Sequence, residues 1–557
     1  MKLLRQGVSP PVLLLFAFMA SFGLSGCDGD DGAAGAAGAA GQDGADGADG
    51  FSCWDLNQNG VGDLPDEDIN DDGVVDVLDC NATSSNAYAA EQLHKGYFEE
   101  HAYEGTQSCL DCHGKIGDDL LTTAHFTWAG ESANIEGFAG GIHGKKDIIN
   151  NFCIAIPSNE GRCTQCHAGY GYADATFDFT NPDNVDCLVC HDQTGLYAKA
   201  PTTAGLPPAE VGNPPVPLDL TLVAQSVAEN GGVPTIDNCI FCHANAGGGD
   251  NVKHGDLSMS LADTTRDFDV HMGTDGADYE CVACHQVNKD GEGNVLSHGI
   301  GGMPYHSVDE GVMKQCDDCH GDRFNIHVGT TVQNIVNSHD TLACQVCHIP
   351  TFARNTSTKV EWYWKDAGQD IAPIPVDPAT GRATYDKKKG TFVWANNVRP
   401  TLRYFNGKYT KFLIGDNDQY TSLPAILAEP VGYYTDSDAM IYPFKKMIGN
   451  QPADAGVGNT TMLVPHLFGT AGGPNPYWGK YDWNLALEEG AAAAGQTYSG
   501  AYEFVPTEMY LSVNHEVAPK EMAYGKDGHC DDCHFGTQVD WGALGWSGDP
   551  ALGNNRP

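Results

Sequence analysis

The sequence predicts a mainly α-helical fold with much irregular structure and a small β-containing segment at 351–510. The pentapeptide Cys-X-X-Cys-His occurs eight times, and seven copies fall within residues 109–348. Stretches such as 218–229 have helix composition and are bounded by prolines and glycines. In the β-containing segment, the alternating aromatic run 391–394 predicts a strand, and Asn406-Gly407 predicts a hairpin turn.

The repeated pentapeptide is the attachment motif of c-type haem. Its two thiols bond covalently to the porphyrin, and the adjacent histidine becomes an axial ligand of the iron. Paired Cys-X-X-Cys units also bind zinc, but zinc does not require a histidine directly after every second cysteine. We therefore predict eight covalently bound haem c groups. Their attachment residues are Cys109, Cys112, His113; Cys163, Cys166, His167; Cys187, Cys190, His191; Cys239, Cys242, His243; Cys281, Cys284, His285; Cys316, Cys319, His320; Cys344, Cys347, His348; and Cys530, Cys533, His534.

This density of motifs predicts a multihaem cytochrome c fold built around packed haems. The haem surfaces replace much of the usual side-chain core, and many motifs are expected at the ends of short helices. We place this octahaem cytochrome domain at 90–557. The segment 351–510 carries no motif and is expected to be a haem-free insertion that covers one face before the chain returns to hold the eighth haem.

The amino terminus predicts export. A short basic start precedes an apolar run at 12–24, and Leu24-Ser25-Gly26-Cys27 has the form of a lipobox. We predict a lipoprotein signal peptide at 1–26 and acylation of Cys27; an ordinary signal peptide with a coincidental cysteine is the alternative. No other apolar run reaches the roughly 20 residues of a membrane span. The expected location is therefore the bacterial cell envelope, with a lipid anchor, in the periplasm or on the outer-membrane surface.

Two small regions separate the predicted anchor from the haem motifs. Residues 27–52 contain Gly-X-Y repeats without proline, which favours a flexible stalk over a collagen triple helix. Residues 53–80 form an acidic module that a Cys53–Cys80 disulfide is expected to close. Within it, oxygen-bearing side chains stand at the spacing of two calcium loops, with a disulfide-closed turn without metal as the alternative. The calcium-ligand candidates are Asp55, Asn57, Asn59, Asp63, Asp66, Asp68, Asn70, Asp72, Asp76 and Asp79.

The formal net charge of −44 excludes nucleic acid as a partner, because acidic residues outnumber basic ones 74 to 30. The imbalance is concentrated in residues 1–350, which hold 13 basic and 51 acidic residues. In 351–510 the numbers are 14 and 16, and this segment contains the run Lys387-Lys388-Lys389. The run is expected to be either a solvated loop or a basic wall beside an anion site.

Thirteen histidines lie outside the motifs, and a haem with histidine on both faces of its iron needs one of them. Bis-histidine haems suit electron transfer, whereas catalysis needs an open or weakly held sixth position on the iron. Besides the motif histidines, the candidates for distal iron ligands are Lys253, His254, His143, His125, His271, His298, His306, His327, His339 and His515. His94, His101, His466 and His529 complete the set of histidines outside the motifs.

Several stretches between the motifs resemble the octahaem tetrathionate reductase family, which is related to hydroxylamine oxidoreductases and pentahaem nitrite reductases. The resemblance covers roughly 90–350 and the late eighth motif. The stretches that carry it are Gly141-Ile142-His143-Gly144-Lys145-Lys146, Asn150-Asn151-Phe152-Cys153-Ile154, Cys163-Thr164-Gln165-Cys166-His167-Ala168-Gly169-Tyr170-Gly171, Asp186-Cys187-Leu188-Val189-Cys190-His191-Asp192 and Asp250-Asn251-Val252-Lys253-His254-Gly255-Asp256-Leu257.

The resemblance implies that the second haem is catalytic and that its distal ligand is a lysine, with an aspartate and a cysteine nearby. In this sequence those residues are Lys253, Asp250 and Cys153. Because every motif ends in histidine, a lysine ligand must come from outside the motifs. A lysine must lose its proton to bind iron, so such a bond is pH-sensitive and displaceable. The alternatives are a surface lysine next to a haem ligand at His254, and a small buried hydrophobe at Cys153.

Two functions are compatible with these residues. One is a reductase that passes electrons along the haems to a catalytic haem, which reduces tetrathionate or a related small oxidant such as nitrite or hydroxylamine. The other is a non-catalytic electron conduit of the cell envelope. Expected partners are redox proteins or quinol-linked electron donors, a small inorganic oxyanion, and the membrane through the lipid anchor.

Overall fold

The computed structural model describes residues 85–289, 295–302, 311–469 and 472–556. By its internal contacts the chain divides into 1–80 and Asn81–Pro557, and the described residues all belong to the second unit. The predicted signal peptide, Cys27, the stalk, the Cys53–Cys80 disulfide and the calcium loops lie outside the described residues, as does His306. They remain predictions.

Short helices and loops make up the part of the chain that carries the first seven motifs, as the motif density predicts. The α-helices are α1 (Ser85–Glu100), α2 (Gln107–Leu120), α3 (Ala124–Thr127), α4 (Glu160–Cys163), α5 (Leu188–His191), α6 (Leu220–Ser226), α7 (Ile236–Ala244), α8 (Cys316–His320), α9 (Arg323–Ile326), α10 (Gln333–Ser338), α11 (Cys344–His348), α12 (Tyr477–Lys480) and α13 (Trp483–Ala493). Short 3-10 helices lie at Thr164–Cys166, Pro182–Asn184, Glu229–Gly232, Met259–Leu261, Cys281–Ala283, Trp364–Asp366, Lys520–Met522, Lys526–Gly528, Cys530–Asp532 and Pro550–Leu552.

The haem motifs coincide with these helices. Helices α8 and α11 each span one pentapeptide, from first cysteine to histidine. The helix expected within 218–229 is present as α6, whose first turn is capped by Asp219 through the backbone amides of Thr221 and Leu222. Such side-chain caps allow helices of only one or two turns to begin at a defined residue.

Three small sheets accompany the motif-bearing part. They pair β1 (Gly130–Glu131) with β2 (Ile142–His143), β3 (Glu210–Val211) with β4 (Val216–Pro217), and β5 (His285–Lys289) with both β6 (Val295–Ser297) and β7 (Gly311–Met313).

The segment without motifs forms a mixed eight-stranded sheet, so the prediction of a mainly α fold is confirmed only in part, because the β-containing segment is larger than expected. Its path runs β12-β13-β15-β14-β8-β10-β9, and β11 also pairs with β14. The β13–β15 and β14–β8 pairs are parallel. The strands are β8 (Thr358–Tyr363), β9 (Tyr385–Asp386), β10 (Gly390–Ala395), β11 (Thr401–Phe405), β12 (Tyr409–Lys411), β13 (Ala425–Pro430), β14 (Met440–Asp454) and β15 (Tyr502–Ser512).

The longest strand explains why the sequence underestimates this sheet. Polar side chains interrupt the hydrophobic alternation of β14, yet Lys445, Asn450 and Gln451 are buried there. Each has a partner elsewhere in the chain: Asn450, for example, accepts the backbone N–H of Lys365 at 3.0 Å. Buried polar groups with partners are tolerated in a strand, and the partners become visible only in the folded chain.

The run 391–394 is a strand, as predicted, but the hairpin around Asn406-Gly407 is not formed. A turn exists there, and Gly407 has a φ of +90°. The flanking strands then diverge, because β11 pairs with β14 and β12 pairs with β13. Asn406-Gly407 therefore changes the direction of the chain, but the strands on either side of it hydrogen-bond to β14 and β13 and not to each other.

The main hydrophobic core joins the sheet to the motif-bearing part. Trp362 and Trp364 stack at 4.9 Å between ring centroids, and Tyr477 stacks on Trp483 at 3.9 Å. The same core includes Phe152, Ile154 and Val252, which belong to loops near the second and fourth motifs. The sheet therefore packs directly beneath the loops that carry Cys153 and Lys253.

Candidate haem sites and catalytic centre

Within the described ranges, six motif histidines face a second histidine across a gap of the size of an iron. With metal–nitrogen bonds of roughly 2 Å, two imidazoles on one iron have ring centroids about 6 Å apart. The observed centroid separations are His94–His113 5.9 Å, His125–His243 6.2 Å, His271–His320 6.0 Å, His285–His515 6.2 Å, His327–His348 6.4 Å and His339–His534 6.1 Å. These pairs fit bis-histidine haems at six motifs: the first (His113), fourth (His243), fifth (His285), sixth (His320), seventh (His348) and eighth (His534).

The hydrogen bonds of these histidines leave the iron-facing nitrogen available. In several pairs Nδ1–H donates to an oxygen, which fixes the tautomer and directs Nε2 toward the metal. The acceptors are the carbonyl oxygens of Ala90 for His94 (2.8 Å), Gly301 for His285 (2.8 Å), Arg323 for His327 (2.6 Å) and Ile335 for His339 (2.8 Å). For His534, the acceptor is the Asp549 carboxylate, whose Oδ1 lies 2.7 Å from Nδ1.

The third motif has the same orienting contact and a histidine close by. Nδ1 of His191 donates to the Gly232 carbonyl at 2.9 Å. Burial lowers the pKa of His191, and the nearby His298 lowers it further. His298 is held in turn by Asp119, 3.5 Å from its Nδ1. His298 is therefore the candidate distal ligand at this motif.

Contacts between attachment cysteines show how the motifs are ordered in space. Thiols meet within hydrogen-bonding reach between motifs one and three, two and four, four and five, and six and seven, through the pairs Cys109–Cys187, Cys166–Cys242, Cys239–Cys281 and Cys316–Cys344. Electrostatic contacts link three to four, five to six, and seven to eight, through Cys190–Cys239, Cys284–Cys319 and Cys347–Cys533. Seven motifs thus form one series, and the second motif branches from the fourth.

The second motif differs from the others in the surroundings of its histidine. His167 is fully buried, and its Nε2–H donates to the Phe126 carbonyl. Because iron binds the lone pair of this nitrogen, ligation by His167 requires that hydrogen bond to break. The rings around the imidazole are aromatic: Phe126, Trp128, Tyr172, Phe177 and Phe179, with centroids 5.2 to 6.0 Å away.

Cys153 lies beside this motif. Asn150 Oδ1 accepts the backbone N–H groups of Phe152 and Cys153, at 3.2 and 2.8 Å, and so fixes the turn that presents the thiol. Burial raises the pKa of the Cys153 thiol, and cations around it oppose the rise. The thiol also acts electrostatically on Cys163, the first attachment residue of the second motif. The structure therefore brings Cys153 and the second haem site together.

Lys253 is buried next to the same thiol. Burial lowers the pKa of its amine to about 7, Lys145 adds to the shift, and Cys153 opposes it. The amine lies 5.7 Å from the centroid of the Phe152 ring. The interpretation of Lys253 as a surface lysine is therefore wrong, because its side chain is enclosed rather than solvated.

The sheet holds the backbone of Lys253 in place. Lys445, on β14, donates from Nζ to the carbonyl oxygens of Val252 and Lys253 at 2.7 and 2.9 Å, and to Thr358 Oγ1 at 2.7 Å. Thr358, on β8, donates in turn to the Asn251 carbonyl at 2.5 Å. These buried hydrogen bonds connect the segment without motifs to the loop that carries the lysine.

Three other residues predicted from the sequence, Asp250, His143 and His254, are not among the six histidine pairs and have the following contacts. Asp250 Oδ1 accepts the backbone N–H of Met259 at 2.9 Å, which closes the loop after Lys253. His143 is held by Asp147, 2.7 Å from its Nδ1. His254 lies between the fourth and fifth motifs, where burial lowers its pKa and His243 and His515 are among the neighbours that lower it further.

His94 is a candidate distal ligand that the sequence-based set of distal ligands omits. It lies on α1, before the first motif, and stacks on His113. His101, seven residues later in the sequence, instead contacts Tyr97 at 4.6 Å. The signal available in the sequence was a histidine within a helical segment shortly before Cys109. In the structure, His94 donates to the carbonyl of Ala90 one helical turn earlier, which orients its ring.

Comparison with known proteins agrees with this geometry. The chain is 41% identical to the octaheme cytochrome c from Shewanella oneidensis, covers 94% of that chain with 80% of its own length, and superposes on its crystal structure with a TM-score of 0.67. The chain belongs to the octahaem cytochromes c. Residues 359–537 match the bacterial cytochrome c family. An uncharacterized protein of Archaeoglobus fulgidus is 25% identical over 229 aligned positions, and the match covers 33% of this chain and 73% of that relative.

Membership of the octahaem cytochromes c accounts for the shared features of the site. Cytochromes c carry covalently bound haem c at Cys-X-X-Cys-His motifs, and the histidine pairs and the motif series suit a multihaem redox protein that transfers electrons. Within the described ranges, no helix combines the length and the apolar character needed to cross a membrane.

Proposed function

We propose that this octahaem cytochrome is a reductase whose second haem is the catalytic one, and that its substrate is tetrathionate or a related small oxidant such as nitrite or hydroxylamine. The observation that carries the proposal is the enclosed Lys253 amine beside Cys153, next to a motif whose histidine is surrounded by aromatic rings. When bound, the haems supply one-electron transfer and an iron that accepts a substrate atom.

Lysine suits a site that must open. Burial favours the neutral amine, which is the form that binds a metal. The same side chain is flexible and takes up a proton once it is displaced. The hydrogen bonds from Lys445 hold the backbone while the side chain moves, so the amine can return to one position.

Cys153 and Asp250 are proposed to serve the substrate rather than the iron. The thiol borders the second motif and is positioned to contact a sulfur or nitrogen oxyanion there. Asp250 is proposed to steady the Lys253 loop through the Met259 amide, and to balance the charge of the lysine when it is displaced. Reduction of tetrathionate consumes two electrons and yields two thiosulfate ions, with no proton required.

A second candidate function is a non-catalytic conduit in the cell envelope. The series of seven motifs favours it, because electrons can pass from the first motif to the eighth without visiting the second motif. The expected export, lipid anchor and partners, either redox proteins or quinol-linked donors, are proposals common to both functions.

A turnover assay on the purified holoprotein distinguishes the reductase from the non-catalytic conduit. The protein is reduced without oxygen, and tetrathionate, nitrite or hydroxylamine is added while the haem absorbance is followed. A reductase is reoxidised repeatedly as long as an electron donor is present, and Cys153→Ala and Asp250→Asn then slow turnover while the resting spectrum is preserved. A protein that stays reduced with all three oxidants is a conduit.

A further inference from the structure

A basic cavity opens beside the proposed catalytic centre. Its volume is about 570 Å³, enough for a small inorganic anion with its water. It lies between the loop at Pro201-Thr202, the turn from β9 to β10, and the region of Phe468 and Trp478. The charged residues in its wall are Arg162, Asp386, Lys388 and Lys389.

The cavity shares its cations with the thiol of Cys153. Arg162 and Lys389 line the cavity and also act electrostatically on Cys153. The place that a Cβ would take at Gly248 is 3.9 Å from Cys153 Sγ and 3.9 Å from Lys389 Nζ, so both atoms border the same small space. Arg162 lies on α4, immediately before the first cysteine of the second motif.

Two further lysines lie near the Cys153 thiol, outside the cavity wall. Lys145 and Lys359 also act on Cys153. Lys359 is buried among aromatic rings, with Nζ 3.3 Å from the Phe392 centroid and 3.8 Å from that of Trp362. Burial lowers the pKa of the Lys359 amine well below its usual value, so the positive charge around Cys153 comes mainly from Arg162, Lys389 and Lys145. Among the described residues of the cavity wall, Asp386 supplies the one carboxylate, which accepts the backbone N–H of Lys388 at 2.8 Å.

This cluster of positive charge contrasts with the chain as a whole, whose formal net charge is −44. At ordinary ionic strength, charges further apart than about 8 to 10 Å are largely screened. An anion near the surface therefore responds mainly to the nearest groups, and a cleft lined by one sign of charge concentrates ions of the opposite sign.

We propose that the cavity is an anion vestibule through which a small inorganic oxyanion reaches Cys153 and Lys253, and that Lys388 and Lys389 select anionic over neutral substrates. The proposal rests on the proposed function and adds to it the charge class of the substrate and its route. Lys387, the first residue of the basic run, is outside the vestibule: its Nζ is 2.6 Å from Asp370 Oδ1 and 4.5 Å from the Tyr481 centroid.

Steady-state kinetics with charged and uncharged oxidants tests the selection. The Lys388→Gln/Lys389→Gln double variant is compared with the wild-type holoprotein at pH 8, where tetrathionate and nitrite are anions and hydroxylamine is uncharged. We expect KM for both anions to rise about tenfold, KM for hydroxylamine to change less than twofold, and the salt dependence of the anion reactions to weaken. Lys387→Gln is the matched control and is expected to resemble wild type. Equal effects on all three oxidants, or unchanged KM for the anions, would overturn the proposal.

Equilibrium binding distinguishes failure of this proposal from failure of the proposed function. Sulfate is a dianion that the haems do not reduce, so its binding to the oxidised protein by calorimetry does not depend on turnover. We expect the double variant to bind sulfate about tenfold more weakly than wild type and Lys387→Gln. If the double variant binds sulfate more weakly but the protein turns over none of the oxidants, the vestibule proposal stands and the reductase proposal fails. If sulfate does not bind, or binds equally to all three proteins, the vestibule proposal fails.

Discussion

The imidazole rings of His94 and His113 lie parallel within 11°, with their centroids 5.9 Å apart. The first comes from α1 and the second from the first haem motif, so a helix that precedes all eight motifs places a histidine where the first haem needs its distal ligand. The 2.8 Å hydrogen bond from His94 to the Ala90 carbonyl fixes the ring in this position.

Replacing His94 tests this assignment. In His94→Ala we expect one of the eight haems to become high-spin, because its iron loses a strong distal ligand and binds water. Ferric absorbance and electron paramagnetic resonance measure the high-spin fraction. His101→Ala is the control, since His101 contacts Tyr97. Eight low-spin haems in His94→Ala would show that another residue is the ligand.

Lys253 is expected to hold the distal position of the second haem. Lys253→Ala and Lys253→Arg should each give one high-spin haem and leave seven unchanged, because a guanidinium group keeps its proton and cannot bind iron. The arginine variant keeps a long side chain at this position but cannot supply a neutral nitrogen, so it separates ligation from the loss of side-chain volume in the alanine variant. If Lys253→Arg remained entirely low-spin with unchanged turnover, the lysine would have no ligand role and the conduit function would be favoured.

Cys153 should react with alkylating reagents in a pH-dependent manner. Burial raises the pKa of its thiol above the ordinary value, so the reactive thiolate is a small fraction at pH 7. Below that pKa, the rate of modification by iodoacetamide should rise roughly tenfold per pH unit. Peptide mass spectrometry at pH 7, 8 and 9 measures it, with a free cysteine peptide as the reference. A rate independent of pH over this range would indicate a thiolate that is already formed at pH 7.

The buried ion pair between Lys199 and Asp186 should be important for stability. Their side chains are almost completely enclosed, Nζ lies 2.8 Å from Oδ2, and Tyr197 donates to the same carboxylate at 2.6 Å. Lys199→Ala leaves the carboxylate buried without its cation, which costs roughly 3 to 5 kcal/mol of unfolding free energy. Urea denaturation of the holoprotein measures the loss. The exposed pair of Lys408 and Glu136, 3.6 Å apart, provides the control, and Lys408→Ala should change stability little.

The acidic module at 53–80 remains a sequence-based prediction. If its two loops bind calcium, the ion should protect the module from proteolysis, and a chelator should abolish the protection while the haem spectrum stays unchanged. Limited proteolysis with and without chelator, followed by mass spectrometry, measures this. Protection that is indifferent to chelator would leave the disulfide as the sole cause.

The sequence by itself determined the haem attachment sites, because covalent attachment needs only two thiols and a histidine at fixed local spacing. Stretches that resemble a known family pointed to Lys253 and Cys153, which the structure places beside the second motif, and the aromatic run predicted the strand at 391–394. The hairpin at Asn406-Gly407 failed because a turn dipeptide specifies a change of direction, whereas strand pairing depends on which neighbours the chain supplies.

Only the tertiary structure decided which histidines face each other, how large the sheet is, and where the positive charge gathers. His285 and His515 are 230 positions apart in the sequence, yet their rings are 6.2 Å apart in the fold. Likewise, Arg162 and Lys389 belong to distant segments that meet around Cys153. Ligand pairs and electrostatic clusters depend on distance in space, and local sequence patterns constrain that distance only within a few residues.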